Sequence, residues 1–210
     1  MSEALSWYAI HMATMTSAKI PSKVRVAILD DHKSIIDGYM YRLSKTSEIE
    51  VVGVARFGED LESMLSTTPV DVLLMDVQVP VSSDNGNPYP ILHAIPRLLQ
   101  YHPDLSILII SMVIERPLVN AVMDAGASGY ILKDDNRAIE NLGSIVLSVS
   151  TDGIFLSQQA HEQWARRSGK SSNITLTPRQ LEALSLCAAH PEWKRADLAC
   201  QMGVTASTAR

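Results

Sequence analysis

Val70-Asp71-Val72-Leu73-Leu74-Met75-Asp76-Val77-Gln78-Val79-Pro80 is a short apolar run that ends abruptly in a carboxylate. Leu73, Leu74 and Met75 with their flanking valines predict a strand buried on both faces, the signature of a parallel sheet. Asp76 then stands at the strand's C-terminal end, where open α/β sheets place their ligand sites. Pro80 has no N–H to give a ladder, so the strand has stopped by there.

Outward from this run, apolar strands and amphipathic helices alternate. Val24 to Leu29 predicts a strand that ends in Asp30-Asp31. Ser34 to Leu43 carries Ile35, Ile36, Tyr39, Met40 and Leu43 on one helical stripe. Ile49 to Ala55 predicts a second strand and Gly58 to Leu65 a second helix. Beyond the Asp76 strand come a helix over Ile91 to Leu99, interrupted at Pro96, and a strand over Leu105 to Ile110 that ends at Ser111. Val119 to Ala125 predicts a helix stopped by Gly126. Gly129 to Leu132 predicts a fifth strand ending in Lys133, and Ile139 to Val149 a fifth helix. Five such alternations define a doubly wound α/β domain with a five-stranded parallel sheet, over residues 23–150.

Composition bounds what else the chain can be. It has 210 residues, 46% hydrophobic and 20% charged, with a net charge of −5. That length accommodates one domain of about 120 to 150 residues and a smaller one. The negative balance argues against a polycation for nucleic acid along the whole chain, and leaves room for a local basic surface. Cys187 and Cys200 sit far from any His pair at zinc spacing and read as reduced thiols of a cytoplasmic protein. No apolar run approaches a membrane span. Residues 1–22 make a poor signal peptide, because Met1 to Ala18 has no basic start and its apolar residues are interrupted. They are read as an N-terminal extension.

The strand order makes the polar residues converge. Asp30, Asp31, Asp76, Ser111 and Lys133 all fall at C-terminal ends of parallel strands, hence on one edge of the sheet. Clustered carboxylates favour a hard cation, and Mg²⁺ takes one or two carboxylates, a backbone carbonyl and waters. An aspartate so placed can attack phosphorus and form an acyl phosphate. The metal and Lys133 would offset charge on the transferring group, and the Ser111 hydroxyl could bond a phosphoryl oxygen. Each residue has a plainer reading: an acidic pair after a strand is often a helix cap, and Ser111 or Lys133 alone is an ordinary surface residue. Tyr130 alone is a good strand residue. Their joint placement at successive strand ends favours a site.

These residues resemble the receiver domain of two-component response regulators. Asp30-Asp31-His32 and Ala125-Gly126-Ala127-Ser128-Gly129-Tyr130-Ile131-Leu132-Lys133-Asp134 are most similar to the NarL/LuxR-type subfamily. The resemblance implies that Asp76 is the phosphoacceptor. It makes Asp31 a direct and Asp30 an indirect Mg²⁺ ligand, with Gln78 offering its backbone carbonyl. It implies that Ser111, Tyr130 and Lys133 serve the phosphoryl group and the switch, Ser111 and Tyr130 turning inward on phosphorylation. Val81 to Pro90 is longer than the tight loop usual after the phosphoacceptor, a lengthening similar to that of the RcsB-like capsule-regulator branch.

The C-terminal part reads differently. Residues 151–174 predict a linker, since Ser157 to Asn173 is polar and carries Arg166, Arg167 and Lys170. Over residues 175–210, Thr177 caps a helix with Pro178 at its first position, and a second helix over Arg195 to Met202 turns at Gly203 into a third. Helix, glycine turn, helix is the helix-turn-helix pattern. Leu176-Thr177-Pro178-Arg179-Gln180 and the stretch from Leu198 to Thr208 resemble the LuxR-type DNA-binding domain. Thr205, Ser207, Thr208 and Arg210 are the candidate DNA contacts. The expected recognition helix is cut at Arg210, so this chain is expected to bind promoter DNA poorly, whatever its parent does.

Together these readings predict a transcriptional response regulator, not an enzyme with a separate substrate. Its partners would be a histidine kinase, promoter DNA and a second copy on activation. The rival reading is a pseudo-receiver or interaction module that never uses the pocket, against which the complete acidic set argues. A phosphatase-like enzyme with an aspartyl nucleophile would need a second acid just after Asp76, and Val77-Gln78 supplies none.

Overall fold

The structure is a computed structural model that describes residues 23–165 together with Leu186, Lys194, Asp197, Gln201 and Met202. Six strands form one sheet in the order β2-β1-β3-β4-β5-β6, every pairing parallel. The strands are β1 (Val24–Leu29), β2 (Ile49–Ala55), β3 (Val72–Met75), β4 (Ser106–Ser111), β5 (Gly129–Leu132) and β6 (Phe155–Leu156). The helices are α1 (Lys33–Leu43), α2 (Gly58–Thr67), α3 (Ile91–Tyr101), α4 (Arg116–Asp124), α5 (Asn136–Glu140), α6 (Leu142–Val149) and α7 (Gln158–Ala165).

Strand side chains alternate between two cores, as the period of two requires. Ala27, Leu29, Leu73, Met75, Ile107 and Ile109 join the apolar faces of α2, α3 and α4 on one side. Val26, Ile28, Val72, Leu74, Leu108 and Ile110 join α1, α5 and α6 on the other. All four residues of β3 are buried, which is why its sequence is uninterrupted by polar residues. Truncating one such side chain, as in Leu73→Ala, costs about 2–5 kcal/mol. Gly126 takes φ +106 just past α4, a conformation that favours glycine, and lets Ala127 N return to the Val122 carbonyl.

Three expectations are corrected. The sheet has six strands, because Phe155 and Leu156 pair with Gly129 and Tyr130 on the outer edge of β5. The stretch from Ser157, read as linker from its polarity, is helical over Gln158–Ala165. Its few apolar residues suffice, since Ala160 is fully buried in the core that holds α4 and β5 and Trp164 packs against it. The expected fifth helix is two pieces, α5 and α6, which meet at Asn141. Helix α3 runs through Pro96 to Tyr101.

The loop after Asp76 folds back on itself. Pro80 and Pro88 form an antiparallel bridge, Val81 N donates to the Asn87 carbonyl at 2.8 Å, and Tyr89 N to the Val79 carbonyl at 2.7 Å. The Pro80 and Val81 carbonyls accept from Gly58 N and Glu59 N, both at 2.9 Å. Free amides at the N-terminus of α2 are thereby satisfied by the inserted loop. Among the described residues no helix is long and apolar enough to cross a membrane.

Candidate phosphoacceptor site

Parallel register carries the candidate residues to one place. Leu29 pairs with Ala55 on one side and Met75 on the other, Met75 with Ile109, and Ser111 with Leu132. The ladder then continues one step past the strands. Asp30 N donates to the Ala55 carbonyl at 3.2 Å, Asp76 N to Leu29 at 2.9 Å, and Lys133 N to Ser111 at 2.9 Å. Asp30, Asp76, Ser111 and Lys133 therefore share the C-terminal edge, with Asp30 and Asp76 where the strand order reverses between β1 and β3.

Lys133 is the hub. Its ammonium donates to Asp30 Oδ2 at 2.7 Å and to Asp76 Oδ2 at 2.6 Å. The three side chains are 9%, 2% and 4% exposed respectively. Burial pushes the Asp76 carboxyl above the ordinary aspartate value, and Lys133 only partly offsets it, while Asp30 adds repulsion. Burial alone would lower the Lys133 ammonium, but Asp76 and Asp30 together outweigh it and hold its pKa above the usual lysine value. Gln78 N donates to Asp76 Oδ1 at 3.3 Å, so the second carboxylate oxygen is more weakly engaged than the first.

Asp30 combines both readings of the acidic pair. Its Oδ1 accepts from His32 N at 2.9 Å, a turn contact at the start of α1, while Oδ2 meets Lys133. Asp31 is less buried, yet its Oδ1 is shielded from solvent and receives no hydrogen bond; His32 Nδ1 lies 2.8 Å away without the alignment of one. An unbonded, shielded carboxylate oxygen is a hard donor of the kind Mg²⁺ takes, and Asp76 and the Gln78 carbonyl belong to the same edge. The residues present fit the ion.

Ser111 and Tyr130 are both fully buried. Ser111 Oγ accepts from Val113 N at 3.0 Å, and the Tyr130 hydroxyl donates to the Val113 carbonyl. Burial pushes the Tyr130 phenol up. Both side chains face inward in this structure, the Tyr130 ring in the core with Leu118 and Val119 of α4. Two neighbours went unassigned from the sequence. His32 forms a possible ligand group with Asp30 and Asp31, and Arg56 reaches the Asp31 carbonyl. His32 stood in the quoted acidic motif, and Arg56 is the residue that follows β2 on the same edge. Thr205, Ser207, Thr208 and Arg210 lie outside the described residues, as do Cys187 and Cys200.

Comparison with known proteins identifies the family to which this fold belongs. Residues 26–142 match the response regulator receiver domain family. The chain belongs to that family. It is 28% identical to the response regulator GacA of Pseudomonas aeruginosa over 193 residues, covering 89% of this chain and 86% of that protein. Identity to the response regulator UvrY of Escherichia coli is 30% over 142 residues, covering 68% of this chain and 61% of that one. Among solved structures, RcsB of Salmonella enterica serovar Typhimurium bound to promoter rprA superposes with a TM-score of 0.64 at 21% identity, covering 90% of this chain and 87% of that one. At that identity the likeness concerns the fold.

Proposed function

We propose that this chain is a two-component response regulator that accepts a phosphoryl group on Asp76 from a histidine kinase. The observation that carries the reading is the buried Asp30–Lys133–Asp76 cluster at the sheet's switch point. The less engaged oxygen of Asp76 attacks phosphorus, the bond to the donor breaks, and the donor leaves with its electron pair. Lys133, released in part from Asp76 as the carboxylate becomes an acyl phosphate, turns its charge to the phosphoryl oxygens. The Ser111 hydroxyl is the neighbouring donor for one of them. Asp31, Asp76 and the Gln78 carbonyl would hold Mg²⁺, with Asp30 an indirect ligand that also bonds Lys133. Bound there, the ion supplies positive charge against the three negative oxygens of the transferring group. On this reading the chain assists its own phosphorylation and turns over no separate substrate.

The likeness to the response regulators GacA and UvrY, and the fold shared with RcsB, solved on a promoter and as dimers on DNA, support a transcription regulator with DNA and a second copy as partners, and we place it in the cytoplasm. The proposed organisation keeps residues 1–22 as an extension, a receiver from residue 23, and a helix-turn-helix domain over 175–210. The test is intact mass after incubation with Mg²⁺ and acetyl phosphate, beside Asp76→Asn. One Mg²⁺-dependent phosphoryl adduct, lost in the variant, is expected. No adduct on the wild-type chain would replace this reading with a binding module that leaves the pocket unused.

A further inference from the structure

The acidic pocket repels the reagent it has to receive. Asp30, Asp31 and Asp76 line it, and Lys133, the cation within, is already bonded to two of them. A phosphodonor carries its own negative charge and approaches against that field. A second cation stands at the same sheet edge. Arg56 directly follows Ala55, the last residue of β2, whose carbonyl is bonded to Asp30 N. Its exposed guanidinium crosses to the β1–α1 loop, where Nη2 lies 3.1 Å and Nε 3.4 Å from the main-chain carbonyl of Asp31. Its Cζ sits 5.9 Å from the centroid of the Phe57 ring.

Arg56 differs from the other arginines near the sheet in what holds it. Arg25 is paired with Asp71 and Arg97 with Glu62, whereas Arg56 forms no ion pair among the described residues. Arg42 is likewise held only by a main-chain carbonyl, that of Gly38 within its own helix, while the carbonyl that holds Arg56 belongs to the acidic loop. Anchored only on a carbonyl, it keeps its full charge and most of its five donors for an incoming anion. A planar fork suits the oxygens of a phosphoryl group better than the point charge of a lysine. Glu59 and Asp60, exposed in the first turn of α2, work against it and limit its effect.

We propose that Arg56 is a donor-recruiting residue of this site, its guanidinium anchored on the Asp31 carbonyl and binding the phosphoryl oxygens of an incoming phosphodonor at the mouth of the Asp76 pocket. This rests on the reading of Asp76 as phosphoacceptor. The experiment follows initial phosphorylation rates of the full chain by intact mass against acetyl phosphate concentration at saturating Mg²⁺. Wild type, Arg56→Lys and Arg56→Gln are compared, with Mg²⁺ binding measured separately by calorimetry. Arg56→Gln is expected to raise the half-saturating donor concentration about two- to fivefold with little change in the maximal rate. Arg56→Lys should recover part of that loss, and added salt should narrow the gap between wild type and Gln. Equal half-saturation in all three overturns the proposal. So does a change confined to Mg²⁺ affinity and maximal rate, which would make Arg56 a support for Asp31 alone. A wild-type chain that takes no phosphoryl group removes the Asp76 reading and this proposal with it; phosphorylated wild type with indifferent variants removes the proposal alone.

Discussion

Lys133 and Asp76 touch each other, yet their removal should move stability in opposite directions. Lys133→Met keeps the buried stem and deletes the ammonium that meets Asp30 at 2.7 Å and Asp76 at 2.6 Å. Two carboxylates, 2% and 4% exposed, are then left facing each other without a cation. Each lost contact is a hydrogen bond between charged groups worth about 1.5–3 kcal/mol. Breaking a buried pair by removing one partner costs about 3–5 kcal/mol, so Lys133→Met should lose stability on that scale. Asp76→Asn deletes a charge that burial already disfavours, as its raised pKa indicates, and Lys133 keeps Asp30. That variant should be as stable as wild type or more so, by about 1–2 kcal/mol, because the penalty of burying the Asp76 charge is lifted while the Lys133–Asp30 contact stays.

The sign follows from linkage. An acid whose folded pKa lies above its unfolded value contributes stability that is present below the unfolded pKa and is lost as pH rises through the folded one. Asp76 is such an acid, so the advantage of Asp76→Asn should be open at neutral pH and close on acidification. Lys133, raised by its partners, contributes stability that persists until pH rises through its own folded pKa. Urea unfolding followed by circular dichroism in metal-free buffer, at neutral and acid pH, measures both. A Lys133→Met variant within about 0.5 kcal/mol of wild type, the range of an ordinary surface change, would refute the reasoning. An Asp76→Asn variant clearly less stable than wild type at neutral pH would do the same.

Three further expectations come from contacts outside the pocket. A Cβ at Gly58 would overlap the Tyr89 ring, so Gly58→Ala should cost about 1–3 kcal/mol, and adding Tyr89→Ala should fail to sum with it in thermal unfolding. Asp71 accepts from Arg25 N at 2.7 Å, Nε at 3.0 Å and Nη2 at 2.5 Å, tying the starts of β1 and β3. Asp71→Ala should cost about 1–3 kcal/mol, mostly through the main-chain amide, since the ion pair is a third or more exposed. The hydrogen bond from Arg25 holds the Asp71 carboxyl below its usual value, so its contribution is present above the unfolded pKa and fades as pH falls through the folded one. An acid titration of stability should show that fade in wild type and not in Asp71→Ala. Tyr130→Phe removes the donor to the buried Val113 carbonyl and should lower stability by about 1 kcal/mol in the same urea assay.

The pocket was legible from the chain because its parts are strand ends. A strand buried on both faces, such as Val72–Met75, writes an unbroken apolar run, and the first polar residue after it marks the edge of the sheet. Applied to β1, β3, β4 and β5, that rule finds Asp30, Asp76, Ser111 and Lys133 without knowing which strand lies beside which. What it missed depends on neighbours. Phe155 and Leu156 form a strand only because β5 offers an open edge, and two residues carry no period to read. Ala160 and Trp164 are too few to outweigh the polar residues around them, until α4 and β5 supply the surface they cover. Arg56 is the sharpest case. The same rule, taken to the end of β2, arrives at Arg56, but a lone exposed arginine has no meaning there. It acquires one only when the strand order sets β2 against β1, bringing a residue 25 positions further along the chain onto the Asp31 carbonyl. Residues that act through a pairing of strands need the topology before the chemistry, and those that terminate a strand do not.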